Sequence, residues 1–215
     1  MSKKNIEDEN KEKIDSPFLK FGDNKSILLL FIIGSVGITI RLVYFPFDLP
    51  VIFDGVDYFS YAVVTSQQGQ LPYGWSLTNN GWSIFLSVFF SILDSSEFLD
   101  FIYLQRFLSI IISVLTIIPV YLLCNRFVEK QYAIIGAALF LFDPRIIINS
   151  ELGVTEPAFI LLGSLSLFLF LSKNFRVVIS SFFVLGLFVM IRYEGFLVIF
   201  PFLIMFFVRY RKDKK

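Results

Sequence analysis

Histidine is absent from this 215-residue chain, and cysteine occurs once, at Cys124. Without imidazole, Ser-His-Asp catalysis, histidine-ligated metals and histidine proton transfer are excluded. A single cysteine excludes internal disulfides and thiolate clusters. Charge is scarce too: 17% of residues are Asp, Glu, Lys or Arg, against about 25% in ordinary soluble domains. Apolar residues fill the gap, at 56% of the chain with a mean hydropathy of +0.73. No water-soluble globule of this size could bury that excess, so the composition points to a bundle of membrane helices. Any chemistry must come from carboxylates, basic side chains and hydroxyls.

The few charges are unevenly spread. Residues 1–25 carry six Lys and six acidic residues with almost no apolar pattern, which reads as a disordered tail. The tail is too acidic for a secretory n-region, and the apolar run behind it exceeds an h-region, so an uncleaved first span is expected. That span is Ser26–Phe47, ended by Pro46 and Pro50 and long enough to cross about 30 Å of hydrocarbon. A polar stretch follows from Asp48 to Asn80. Residues 81–93, GWSIFLSVFFSIL, are too short to span and read as interfacial or re-entrant, with Trp75 and Trp82 as interface anchors. Further spans are expected over about 101–123, 132–142 (broken by Asp143-Pro144-Arg145), 153–171, 175–191 and 196–208.

The fold class is therefore all-α, a polytopic membrane protein of about six transmembrane helices. Its parts are a tail over 1–25, a transmembrane module over 26–210 and a basic end over 211–215. Orientation follows from the 19 Lys and Arg. Six lie in the tail, two in 124–131, two in 172–176 and five at the C-terminus, leaving only Arg41, Arg106, Arg145 and Arg192 for the other side. The positive-inside rule puts both termini in the cytoplasm and the long loop over 48–100 outside.

Once the chain is oriented, its unusual residues gather on the outer side. Asp48, Asp54, Asp57, Asp94, Glu97, Asp100, Asp143, Glu151, Glu156 and Glu194 lie there with those four arginines. Charged groups at membrane depth face a cavity, a partner or a substrate. Carboxylates beside arginines suit an anionic substrate, and phosphate matches the planar guanidinium fork. Asp54 and Asp57 are three apart, so on a helix they share a face. They serve there as base and partner or as a metal clamp, or else as a helix cap and a first-turn acid. Arg106 is either a phosphate clamp or a snorkelling arginine, and Arg41, near a span end, fits snorkelling better. Arg192-Tyr193-Glu194 reads as a self-neutralising pair in an outer turn, and Thr155 and Glu156 as the cap and first-turn acid of a span.

The order of these features resembles a known family. It comprises Arg41-Leu42 ending the first span, D-x-x-x-Y from Asp54 to Tyr58, Ala62 to Gly69, and a span running from Arg106 to Tyr121. Pro144, the T-E-P at 155–157 and R-x-E-G from Arg192 to Gly195 follow. Together they resemble the N-terminal half of the C-type (GT-C) glycosyltransferase superfamily, in the branch of protein O-mannosyltransferases and aminoarabinose transferases. The resemblance covers roughly 26–210. It implies an integral-membrane transferase of the plasma membrane that takes a sugar from a polyprenyl-phosphate donor on the extracytoplasmic face. Asp54 matches the general base, with Asp57 as a possible substitute in a loop where relatives often carry adjacent acids. Arg106 matches the donor-phosphate arginine, while Glu156, Arg192 and Glu194 are cavity candidates. The expected partners are the lipid-linked donor, membrane lipids and a protein, lipid or glycan acceptor, with no nucleic acid. Such relatives have about twice as many spans, so a truncated gene, a fragment, or half of an enzyme whose partner chain supplies the rest all fit. No cofactor is required beyond the donor; Asp54, Asp57 and Glu156 are the candidates for a weak oxygen-only metal site. The alternative is a non-catalytic subunit or carrier of an envelope glycan pathway, and a small secondary transporter lacks the interrupted helix pairs of that class.

Overall fold

The computed structural model describes residues 24–44, 51, 54–75 and 79–211. Among these, ten α-helices and one 3-10 turn follow in order. They are α1 (Asn24–Val43), α2 (Asp54–Gln68), α3 (Gly81–Phe90), α4 (Phe98–Leu115), α5 (Ile117–Cys124), α6 (Lys130–Leu141), α7 (Pro144–Glu151), α8 (Glu156–Phe170), α9 (Phe175–Ile191), the turn Tyr193–Gly195 and α10 (Phe196–Tyr210). The protein is an all-α, polytopic membrane protein. Nearly all of the tail, Asp48 with the prolines at 46 and 50, and residues 212–215 lie outside the described residues.

Three segments are long and apolar enough to cross a bilayer: Asn24–Val43, Phe98–Cys124 and Tyr193–Tyr210. A fourth is the pair α6 and α7, bent by 49°. The bend is written in the sequence. Asp143 Oδ1 accepts from the backbone N–H of Arg145 at 2.8 Å and of Ile146 at 3.3 Å, capping α7, while Pro144 occupies its first turn, where no donor is needed. The α4–α5 break at Thr116 has a similar origin: Pro119 clashes with the carbonyl four residues back, Leu115, the last residue of α4. Two shorter apolar helices, α8 and α9, lie where the remaining two spans are expected, at 15 and 17 residues. At 1.5 Å per residue the ten residues of α3 reach only about 15 Å, and they do not span.

α1 packs through a stripe of small residues. Ser26, Leu30, Gly34, Gly37 and Arg41 recur at helical spacing and are buried, while Phe31 and Val43 face outward. A Cβ at Gly37 would stand 2.6 Å from Leu141 Cδ2, so the glycine admits α6. Three apolar clusters hold the bundle. One joins α1, α4, α5, α6 and the end of α8; the second joins α2, α3 and the starts of α4 and α8; the third joins α8, α9 and α10. Trp82 belongs to the second. It is fully buried rather than an interface anchor, because its indole fills the space between α2 and α8 and its N–H reaches Gly153 O at 3.1 Å. Trp75 is 41% exposed and packs edge-on against Tyr61.

The two ends of the bundle differ in chemistry. At one end, Arg126 donates to Leu171 O at 2.8 Å and Phe168 O at 3.3 Å, and Arg209 donates to Phe170 O and Ser172 O. These cations occupy the carbonyl end of α8, where the helix dipole favours them. At the other end lie the acids and the two most deeply buried arginines.

Candidate functional site

Gln105 is the centre of the acidic end. It is fully buried, and its Nε2 donates to Gly153 O at 2.7 Å and to Gly55 O at 3.2 Å. Both partners are acceptors, which sets the amide orientation and leaves Oε1 buried without a hydrogen bond. The Trp82 indole N–H shares Gly153 O. Gly153 adopts φ +69°, and a Cβ there would lie 3.1 Å from Gln105 Cγ and Nε2. Replacing Gly153 by Ala is expected to cost about 1–2 kcal/mol from the left-handed backbone alone. Crowding against Gln105 should add to this. Thermal unfolding in detergent checks it, and a wild-type midpoint would mean that the turn relaxes freely.

Around this knot, α2 is fastened at its first turn. A Cβ on Gly55 would meet Val51 Cγ1 at 2.5 Å and Leu152 O at 3.2 Å, and Ser83 Oγ donates to Tyr58 O at 2.9 Å. Asp54 and Asp57 both lie in that first turn and are exposed. Tyr58, buried behind them, has its phenol pushed above the ordinary value, first by burial and then by the Asp54 charge. Arg192 and a hydrogen bond with Thr155 pull the other way, so Tyr58 lies within electrostatic reach of both Asp54 and the Arg192 cluster.

That cluster is larger than the pair expected from sequence. Arg192 Nη2 meets Glu194 Oε1 at 2.8 Å and Nε meets Oε2 at 3.4 Å, a two-point fork, while Nη1 meets Glu156 Oε1 at 2.7 Å. All three side chains are 30–40% exposed. Thr155 stands at the cap position of α8, but its hydroxyl does not cap the helix; it donates to Glu156 Oε2 at a long 3.5 Å. Glu156 also lines a small cavity with Ser113, Thr116 and Asn149. Among the described residues no three acids converge as metal ligands, so Asp54, Asp57 and Glu156 do not form the oxygen-only site considered above.

Deeper in the bundle lie the two arginines whose snorkelling the structure rules out. Arg41 is 0% and Arg106 1% exposed. Arg41 Nε donates to Ser150 Oγ at 3.0 Å, Nη1 to Gly37 O at 3.0 Å, and Nη2 to Leu141 O at 3.1 Å and Ser113 Oγ at 3.2 Å. Four helices thus meet on one guanidinium. Glu151, at the end of α7, interacts with both arginines, and its Oε1 is buried without a hydrogen bond. Both guanidinium groups thus lie within electrostatic reach of one carboxylate, and the planar guanidinium fork is the side chain that best matches a phosphate.

Of the residues expected from sequence, Asp54 and Asp57 share the first turn of α2, and Glu156, Arg192 and Glu194 form one ion cluster beside them. Arg106 lies one residue from Gln105, whose amide touches the peptide next to Asp54. Gln105, Glu151 and Tyr58 were not singled out. A signal for the first was present: Gln105, Ser109, Ser113 and Thr116 recur along one face of an otherwise apolar segment, and all four are buried.

A comparison with known families matches residues 82–214 to dolichyl-phosphate-mannose-protein mannosyltransferases. The match includes Arg106, Glu156, Arg192 and Glu194 and begins after Asp54 and Asp57. No curated protein matches the chain. No solved structure matches it either.

Proposed function

The chain belongs to the dolichyl-phosphate-mannose-protein mannosyltransferase family, membrane glycosyltransferases of the C type, and on that premise we propose that it moves a sugar from a polyprenyl-phosphate donor to a hydroxyl acceptor on the extracytoplasmic side of the plasma membrane. The observation that carries this reading is the placement of buried Arg106 and Arg41 at the end of the bundle where Asp54 and Asp57 are exposed, with Gln105, next to Arg106, hydrogen-bonded to the carbonyl of Gly55, the residue after Asp54. The acidic end faces outward under the positive-inside rule, because Arg126, Lys130, Lys173, Arg176, Arg209 and Arg211 belong to the loops and helix end of the opposite side.

In the proposed reaction the acceptor hydroxyl attacks the anomeric carbon and its proton passes to Asp54. The bond from that carbon to the phosphate oxygen breaks, and its electron pair leaves with the polyprenyl phosphate. Arg106 stabilises the charge that develops there. A preorganised donor of this kind is worth about 10²–10³-fold in rate. Phosphate is a good leaving group, so a strong general acid is dispensable. Glu156 and Glu194 restrain Arg192 at the mouth, where it borders the acceptor side.

The test is transfer from a radiolabelled polyprenyl-phosphate sugar by the purified chain in lipid, beside Arg106→Gln. Wild-type transfer and a donor KM raised about tenfold or more in the variant are expected, as for the loss of a charge-assisted contact worth about 1.5–3 kcal/mol. An unchanged KM together with an unchanged kcat would remove Arg106 from the donor site. Absence of both transfer and donor binding in the wild type would favour the non-catalytic subunit.

A further inference from the structure

We propose that Gln105 is a positioning residue that sets the separation between the base on α2 and the phosphate-binding arginine on α4, an inference that rests on the roles given above to Asp54 and Arg106. Gln105 is covalently adjacent to Arg106, so its amide moves with the arginine's backbone. That amide holds Gly55 O, one peptide from Asp54, and Gly153 O, at the turn that leads into Thr155 and Glu156. Three chain segments that carry candidate groups therefore meet at one buried side chain. The surroundings are built for this contact. Gly55 lets the start of α2 approach Val51 and Leu152 O, Gly153 leaves room for the Gln105 side chain, Trp82 also donates to Gly153 O, and Ser83 holds the carbonyl of Tyr58 in the same helix as Asp54.

The geometry separates this role from packing. A glutamine that only filled space could be replaced by methionine, which has nearly the same shape. The two donated hydrogen bonds require an N–H or O–H group, and of the two carbonyls Gly153 O also accepts from Trp82, so the bond to Gly55 O is the one that methionine would lose outright. In-line attack demands that acceptor, anomeric carbon and leaving oxygen be aligned, and a misplacement of about 1 Å costs on the order of 10²-fold. Loosening α2 from α4 should thus lower kcat while donor affinity, set by Arg106, stays close to wild type.

Two variants, Gln105→Met and Gln105→Glu, test the role. Spin labels on Val56 and Phe107, both exposed, in a Cys124→Ser background report how tightly α2 is held to α4. Gln105→Met should broaden that distance distribution and lower kcat at least about tenfold with donor KM within about twofold. Gln105→Glu should behave likewise at neutral pH, where a carboxylate opposes the two carbonyls. Relative to wild type it should recover as pH falls, because the protonated acid regains a donor; a space-filling role predicts no such recovery. An unchanged distance distribution in Gln105→Met overturns the proposal whatever the kinetics. Asp54→Asn is assayed alongside. If it retains transfer, the role of Asp54 fails while the distance measurement still decides whether Gln105 ties the two helices; if it is inactive and Gln105→Met is wild-type in kcat, only the present inference fails.

Discussion

Asp54→Asn is expected to reduce sugar transfer by about 10²–10⁴-fold, the range lost when a positioned general base is removed. The substitution keeps the size and polarity of the side chain and removes only its ability to take a proton. Asp54 is exposed at the start of α2, so membrane insertion and thermal stability should stay near wild type. Asp57 supplies the control. It is exposed in the same first turn, three residues on, and Asp57→Asn should reduce transfer far less if the proton goes to Asp54. Equal losses would make the acids a pair, and a loss confined to Asp57→Asn would move the base to that residue. Transfer rates of both variants, measured with saturating donor in the same vesicles, separate the three outcomes. The match to known mannosyltransferases begins at residue 82, after Asp54, so this role is a proposal that rests on the resemblance of the D-x-x-x-Y order, and the experiment tests it directly.

The apolar segments were legible because the bilayer imposes a length and a composition on every crossing element. The expected spans over 101–123 and 175–191 correspond to Phe98–Cys124 and Phe175–Ile191, and the Asp143-Pro144 break corresponds to the 49° bend. The self-neutralising turn at Arg192 and Glu194 was legible too, from two opposite charges in a short connection, but Glu156 joins it across 36 positions and no local pattern announces that. The same limit explains the two arginines. Periodicity says that Arg41 lies near a helix end, where snorkelling is the cheaper solution. Burial is possible only because Ser113, Ser150 and the free carbonyl of Leu141 come from three other helices. Trp82 was misread for a related reason: a tryptophan at the start of a short apolar segment has the composition of an interface anchor, and only the packing of α2 over α3 encloses it.

Arg41→Met should be the most destabilising single change among the site residues, at about 3–5 kcal/mol, the range for removing one member of a buried, hydrogen-bonded charge network. Hydrogen bonds alone would not reach that figure. Interhelical hydrogen bonds in membranes average only about 0.6 kcal/mol each, so the three that Arg41 donates to other helices would account for about 2 kcal/mol of it. The remainder comes from Glu151, which would keep Arg106 as its only cationic neighbour among the groups known to act on it, and from Leu141 O. That carbonyl ends α6 at the break in a membrane-depth segment, where water is not at hand to replace a lost donor. Arg41→Lys should recover part of the loss, since a point charge serves Glu151 but cannot span Ser150, Ser113 and Leu141 O together. Denaturation midpoints in mixed micelles measure all three proteins. The decisive comparison adds Glu151→Gln to Arg41→Met. If the charge on Glu151 dominates, the double variant is more stable than Arg41→Met alone, a coupling that independent sites do not show. If the hydrogen bonds dominate, the two losses add, and Arg41 is a mechanical pin between four helices with no electrostatic part in holding Glu151.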